Sequence, residues 1–228
     1  MKIRKLNLDV KIGGNSMRPS STRIEQYAAS LPFCEIVLSG EERQPVNLGE
    51  NVFVNLDNKR IFSGSLLSLG LAHGGLSYKC GHALKTSTVN FRREKASYVL
   101  NHLADQSGIG KRQMEIPDVE LPHYHCLGDG WQNLLAFASS LSDWTDDEFD
   151  IFFDAFGVLN LKPVRDSGEA VFEFQRGKNT LLIRDKTLKA FPLPLGYGDT
   201  IEVSSKMRRA LGLHYFISPQ NSLMEVLF

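Results

Sequence analysis

Apolar and polar positions alternate with a period of two through most of this chain, and shift to a period of three to four only in its middle. Lys5-Leu6-Asn7-Leu8-Asp9-Val10 and Val52-Phe53-Val54-Asn55-Leu56 carry the strand alternation. Asp57-Asn58-Lys59 is turn chemistry, because Asx residues tolerate left-handed backbone, and Ile61-Phe62 returns from it. The polar run from Gly13-Gly14-Asn15-Ser16 to Pro19-Ser20-Ser21-Thr22 reads as a loop, either mobile or an assembly contact. From Leu66 to Val89 the pattern continues as short strands broken at Gly74-Gly75 and Gly81.

The period changes at Ser97. That residue is placed to N-cap a helix whose Val99, Leu100, Leu103 and Ala104 share a face and which Gly108 ends. A second helix follows Asp129, which precedes Gln132 by three residues as in a capping box. Trp131, Leu134, Leu135, Ala138 and Leu141 form its apolar face. Ile151-Phe152-Phe153 and Gly157 to Pro163 predict a hairpin. Strands resume near Asp166, with Phe172 and Phe174 alternating, a turn at Arg176-Gly177-Lys178, and Leu181-Leu182-Ile183 beyond it.

Two segments echo each other. Gly49-Glu50-Asn51-Val52-Phe53-Val54 leads through Phe62 and Ser63 to Gly64, and Gly198-Asp199-Thr200-Ile201-Glu202-Val203 leads to Gly212. Each has a turn glycine, an acid, a short strand with β-branched residues, a polar turn and a second glycine. The pattern predicts one hairpin unit used twice. The expected fold class is mainly β with α+β character: two small related barrel or split-barrel domains, residues 1–93 and 166–228, flanking a compact α+β unit at 94–165.

Length and composition narrow the function classes. A 228-residue chain with 42% hydrophobic residues can bury a real core. Lys plus Arg equals Asp plus Glu at 26 each, which lacks the basic excess of a nucleic-acid binder and suits a protein that works assembled. No apolar run approaches the roughly 18 residues of a membrane span, so no membrane anchor is expected. Three isolated cysteines, Cys34, Cys80 and Cys126, indicate synthesis in a reducing cytoplasm, with Cys34 a small buried hydrophobe.

Candidate chemistry is sparse. On a strand, His123 and His125 share a face and with a distant carboxylate are the nearest approach to a zinc site; ligand count favours a plain surface pair. Cys80-Gly81-His82 is weaker still. The acidic stretch from Asp143 to Asp154 lacks the glycine and ligand spacing of an EF-hand and reads as a solvated loop. Gly-x-Ser-x-Gly, Walker and His-Glu-x-x-His patterns do not occur. The expectation is no catalytic residue, no cofactor and no metal.

The order of elements resembles the baseplate hub family of contractile phage tails, the late control protein D group. Relatives include the N-terminal part of type VI secretion spike proteins and the hubs of extracellular injection systems. The segments that carry the likeness are Gly49 to Leu66, Ser97 to Ala104 with Ser107-Gly108-Ile109, Trp131 to Ala138, and Phe156 to Leu161. The chain departs from the family in being short, in leaving little room for a second full barrel, and in its Gly-rich start. The resemblance implies a structural protein made in a bacterial cytoplasm and mature in a virion tail or injection particle. It implies a homotrimer whose partners are the tail tube and spike proteins, with Gly49, Phe62, Gly64, Trp131, Gly198 and Gly212 as pattern positions. Two other readings stay open. A carbohydrate- or peptide-binding β-protein would expose Trp131 and Trp144 together in a groove. A tail-associated cell-wall hydrolase would line a cleft with the acidic segment or the histidine pair.

Overall fold

The computed structural model describes residues 6–39, 45–72, 75–165 and 169–228. Lys5 of the expected first strand, Gly74 of the expected break and Asp166 at the expected restart lie outside these residues. The chain is mainly β, with nineteen strands and two helices among the described residues.

The first stretch holds β1 (Leu8–Ile12), β2 (Asn15–Met17), β3 (Pro19–Tyr27), β4 (Phe33–Ser39), β5 (Asn51–Leu56), β6 (Lys59–Ala72) and β7 (Gly75–Gly81). Next come β8 (Thr86–Lys95), α1 (Ala96–Gln106), β9 (Arg112–Met114), β10 (Glu120–Asp129), α2 (Gly130–Thr145), β11 (Phe149–Phe153) and β12 (Leu159–Pro163). The last are β13 (Phe172–Phe174), β14 (Thr180–Arg184), β15 (Thr187–Ala190), β16 (Thr200–Val203), β17 (Lys206–Arg209), β18 (Gly212–Ile217) and β19 (Ser222–Leu227).

Two compact units result. One contains residues 1–82, 155–157 and 166–228; the other contains 83–154 and 158–165. Residues 83–93, expected with the first segment, contribute β8, which pairs along its length with β10. The expected first and last segments share one eleven-stranded sheet, in the order β14-β15-β19-β18-β3-β4-β7-β6-β5-β1-β2. β13, β16 and β17 form a separate three-stranded sheet in that unit.

The polar run expected to be a loop is strand. Gly13 and Gly14 make the two-residue turn between β1 and β2, and Ser20 to Thr22 belong to β3. Composition hid it because β3 buries Thr22 and Gln26 along with Ile24, so the inward face is itself partly polar. Elsewhere the period-two pattern holds: Val52, Val54 and Leu56 on β5, and Cys34, Ile36 and Leu38 on β4, are all buried in one core.

Tyr215 fixes the loop that leads into β16. Its hydroxyl accepts the Leu195 N–H at 3.1 Å and lies 2.9 Å from the Leu193 carbonyl oxygen. Burial pushes its phenol well above the ordinary range, so it remains a neutral donor.

In the other unit α1 packs on α2 and β8, and α2 packs on β10 and β11. Ser97 does not cap α1. Lys95 holds that position with no side-chain cap, and Ser97 is already inside the helix. Asp129 does cap α2, accepting the Gln132 N–H at 2.8 Å. Trp131, Leu134, Ala138 and Leu141 are buried as expected; Leu135 is only half-buried, and Phe137 takes the inner position instead. Asn133, on the same face, donates to the Ser87 carbonyl at 2.8 Å and ties α2 to β8.

Cys34 and Cys80 are opposite one another on β4 and β7, both fully buried and unoxidised. Burial raises both thiols, that of Cys80 to about 12, and neither forms thiolate near neutral pH. Native protein should therefore expose only Cys126 to an aromatic disulfide reagent at pH 8, and all three cysteines in denaturant. Replacing Tyr215 with Phe should cost about 1–3 kcal/mol in urea unfolding, because the hydroxyl that hydrogen-bonds the Leu193 carbonyl and the Leu195 N–H inside the core is lost.

Candidate assembly surface

The two echoed hairpins are built alike. The Gly49 N–H bonds the Leu66 carbonyl at 2.8 Å and the Leu66 N–H bonds that of Glu50 at 2.9 Å. The Gly198 N–H bonds the Ala210 carbonyl at 2.8 Å and the Ala210 N–H bonds that of Asp199 at 2.9 Å. Gly49 and Gly198 have φ of 87° and 83°, a region where only glycine rests without strain. Both tips have two residues at positive φ, Asp57-Asn58 and Ser204-Ser205, the turn whose twist suits a two-residue hairpin.

These bonds set Leu66 equivalent to Ala210, hence Gly64 to Arg208 and Ser68 to Gly212. The two second glycines are therefore not counterparts. Gly64 lies opposite Val52 inside the first hairpin, where an added methyl would sit 2.8 Å from the Gly81 carbonyl oxygen. Gly212 opens β18, where the same methyl would meet the Tyr27 ring at 2.7 Å. Each is needed for close approach, at a different place in the unit.

The equivalence runs well beyond the hairpins. Across the first copy the ladder connects Leu71 to Leu76, Leu38 and Pro19; across the second it connects Tyr215 to Met224, Ala190 and Thr180. Each track ends at a register shift, between Pro19 and Ser21 in one copy and between Thr180 and Leu182 in the other. A four-strand unit, β3-β4-β7-β6 or β14-β15-β19-β18, thus occurs twice in the same chain order and joins through the pairing of β18 with β3.

The remaining candidate residues stay apart from one another chemically. Phe62 is a core side chain, 1% exposed. Trp131 is buried against Phe153, with ring centroids 5.8 Å apart, while Trp144 is partly exposed, so they make no shared aromatic groove. His123 and His125 do share the exposed face of β10, opposite buried Tyr124, and no group of three metal-binding side chains forms among the described residues. Asp154 accepts the Val158 N–H at 3.0 Å and organises the turn of its hairpin. An open hollow at the tip of the first hairpin is lined by Asn55, Asn58, Lys59, Arg60, Phe156 and Pro194, a set without a carboxylate. No described helix is long and apolar enough to cross a membrane.

No family model matches the chain, and no curated protein sequence matches it. Solved structures do. A tail protein from Neisseria meningitidis MC58 superposes with a TM-score of 0.77 at 13% identity, over 98% of this chain and 96% of that one. The 43 kDa tail protein of prophage MuSo2 from Shewanella oneidensis gives 0.76 at 8% identity, over 98% and 97%. The E. coli c3393 protein, a type VI secretion component described as structurally similar to T4 phage tail proteins gp27 and gp5, gives 0.67 at 10% identity, over 95% and 75%. The chain has the fold of these tail proteins.

The hairpin glycine can be tested in isolation. An added methyl at Gly49 meets nothing within 4 Å, so its cost comes from the backbone alone. Gly49→Ala should lower unfolding stability by about 1–2 kcal/mol in a denaturant titration. Gly70→Ala, equally open but without a positive φ, should change it little.

Proposed function

We propose that this chain is a structural hub component of a phage tail or phage-like contractile injection machine. It acts as a non-enzymatic subunit of a trimeric ring that joins the tail tube to the spike. The observation that carries the reading is the duplicated four-strand unit in one sheet. Two similar units per chain let a trimer present six similar surfaces, so a threefold partner can meet a sixfold one without a change of subunit. The shared fold of the tail proteins and of the type VI secretion component supports the same assignment.

The mechanism is geometric. A ring of β-units keeps a central passage open, offers one rim to the tube and the other to the spike, and needs rigidity more than chemistry. The chain's balanced charge suits a protein held in an assembly. The late control protein D group remains the family that the element order resembles.

Co-expression with the tube and spike proteins of the same particle tests the reading. The expected product is a complex with three copies of this chain per trimeric spike, seen as a ring in negative stain. A chain that stays unbound in the presence of both would contradict it.

A further inference from the structure

The two echoed hairpins differ at their tips. Val54 pairs with Phe62 in the first, and its counterpart Val203 pairs with Lys206 in the second. Between those pairs the first hairpin has the seven residues 55–61, where the second has only Ser204 and Ser205. Four residues of the open hollow, Asn55, Asn58, Lys59 and Arg60, lie in that extension, and Phe156 and Pro194 complete it. The hollow encloses about 410 Å³, within the range of small-ligand sites, and its lining belongs to one compact unit.

Its walls are held by bonds that need no ligand. Arg60 donates from Nε to Asn55 Oδ1 at 3.1 Å and from Nη1 to Ser63 Oγ at 3.4 Å, and its guanidinium lies 4.1 Å from the centre of the Phe53 ring. The Ser63 hydroxyl donates in turn to the Ala155 carbonyl at 2.9 Å, next to Phe156. Pro194 stands between Leu193 and Leu195, whose carbonyl and N–H meet the Tyr215 hydroxyl. Such preorganisation lowers the cost of binding.

The side-chain acceptors around the tip are already taken. Asn55 Oδ1 holds Arg60, and Asn58 Oδ1 accepts from Asn7 Nδ2 at 3.3 Å. The Asp57 carboxylate accepts the Asn7 N–H at 3.2 Å and does not line the hollow. Asn55 Nδ2 is also used, donating to Asp9 at 3.0 Å. The groups left over are donors: the Lys59 ammonium, the Asn58 amide nitrogen and the further N–H groups of Arg60. Neither Lys59 nor Arg60 forms an ion pair among the described residues.

A hollow with two cations, spare donors and no carboxylate favours an anion, and the Phe156 and Pro194 walls favour an apolar group beside it. We infer that it binds one carboxylate side chain and an adjoining apolar residue, presented by an acidic segment of a partner protein. The planar guanidinium matches the two oxygens of a carboxylate. Two cations in a chain of 26 basic and 26 acidic residues do not make the basic stripe that a nucleic-acid backbone requires. The second hairpin lacks the extension, so only one of the two repeated units carries the site. The inference stands apart from the hub reading, because it depends on residues 55–61 and not on the repeat they interrupt.

NMR titration of the isotope-labelled full chain tests it. The probes are a blocked leucine–glutamate–leucine peptide, its glutamine analogue, inorganic phosphate and a short oligothymidine. The glutamate peptide should shift the Arg60 Nε and Asn58 side-chain signals saturably, and the glutamine analogue should bind at least about tenfold more weakly. Lys59→Gln and Phe156→Ser, both at exposed positions, should each weaken the glutamate peptide severalfold with an unchanged circular dichroism spectrum. Equal binding of the two peptides, variants that bind like the unaltered chain, or no saturable shift would overturn the site. Tighter binding of phosphate or oligothymidine would overturn its assignment to a carboxylate. None of these results touches the hub reading, whose failure shows instead as a chain that stays unbound with tube and spike proteins present.

Discussion

The pairing of β18 with β3 is the constraint on which the larger unit depends. It runs from Gly212 opposite Tyr27 to Ile217 opposite Thr22, between segments separated by nearly the whole chain. Without it the first and last stretches would be two small sheets, each with an open edge. With it, Leu213, Tyr215, Ile24 and Met224 enter one core and Thr22 is fully buried beside them. Contacts so distant in sequence are costly in chain entropy, and this one is bought by a continuous apolar face from β15 to β5.

Duplication explains the economy of this arrangement. The two copies of the four-strand unit join through the pairing of β18 with β3. The middle segment, residues 83–154 and 158–165, is inserted between the copies as a separate compact unit with its own helices. Its buried polar ties are local: Asn133 reaches Ser87, and the Tyr124 hydroxyl donates to the Asn133 carbonyl at 3.1 Å. Each satisfies a group that would otherwise be costly to bury.

Much of this was readable in the chain. The hairpin tips at Asp57-Asn58 and the strand at Val52 to Leu56 follow from turn chemistry and alternation. The cap at Asp129 and the face of α2 follow from spacing. The echo at Gly49 and Gly198 pointed to a real repeat, although matching glycine to glycine misplaced its second half; hydrogen bonds, not residue identity, define the counterparts. Other features could not be read. Ser20 to Thr22 look like loop because all three are small and polar, although they lie on β3 and Thr22 is buried. β9 pairs parallel with β12 over only three residues, too short to leave a period. The burial difference between Leu69 and Leu213 could not be read either, because both are leucines in strands.

A cryo-electron microscopy reconstruction of the assembled ring, at a resolution that separates neighbouring strands, tests the central claim most directly. The account predicts a ring of three chains that presents six four-strand units, two per chain. An assembly in which the chain does not form a ring, or forms one with a different number of four-strand units, would contradict it.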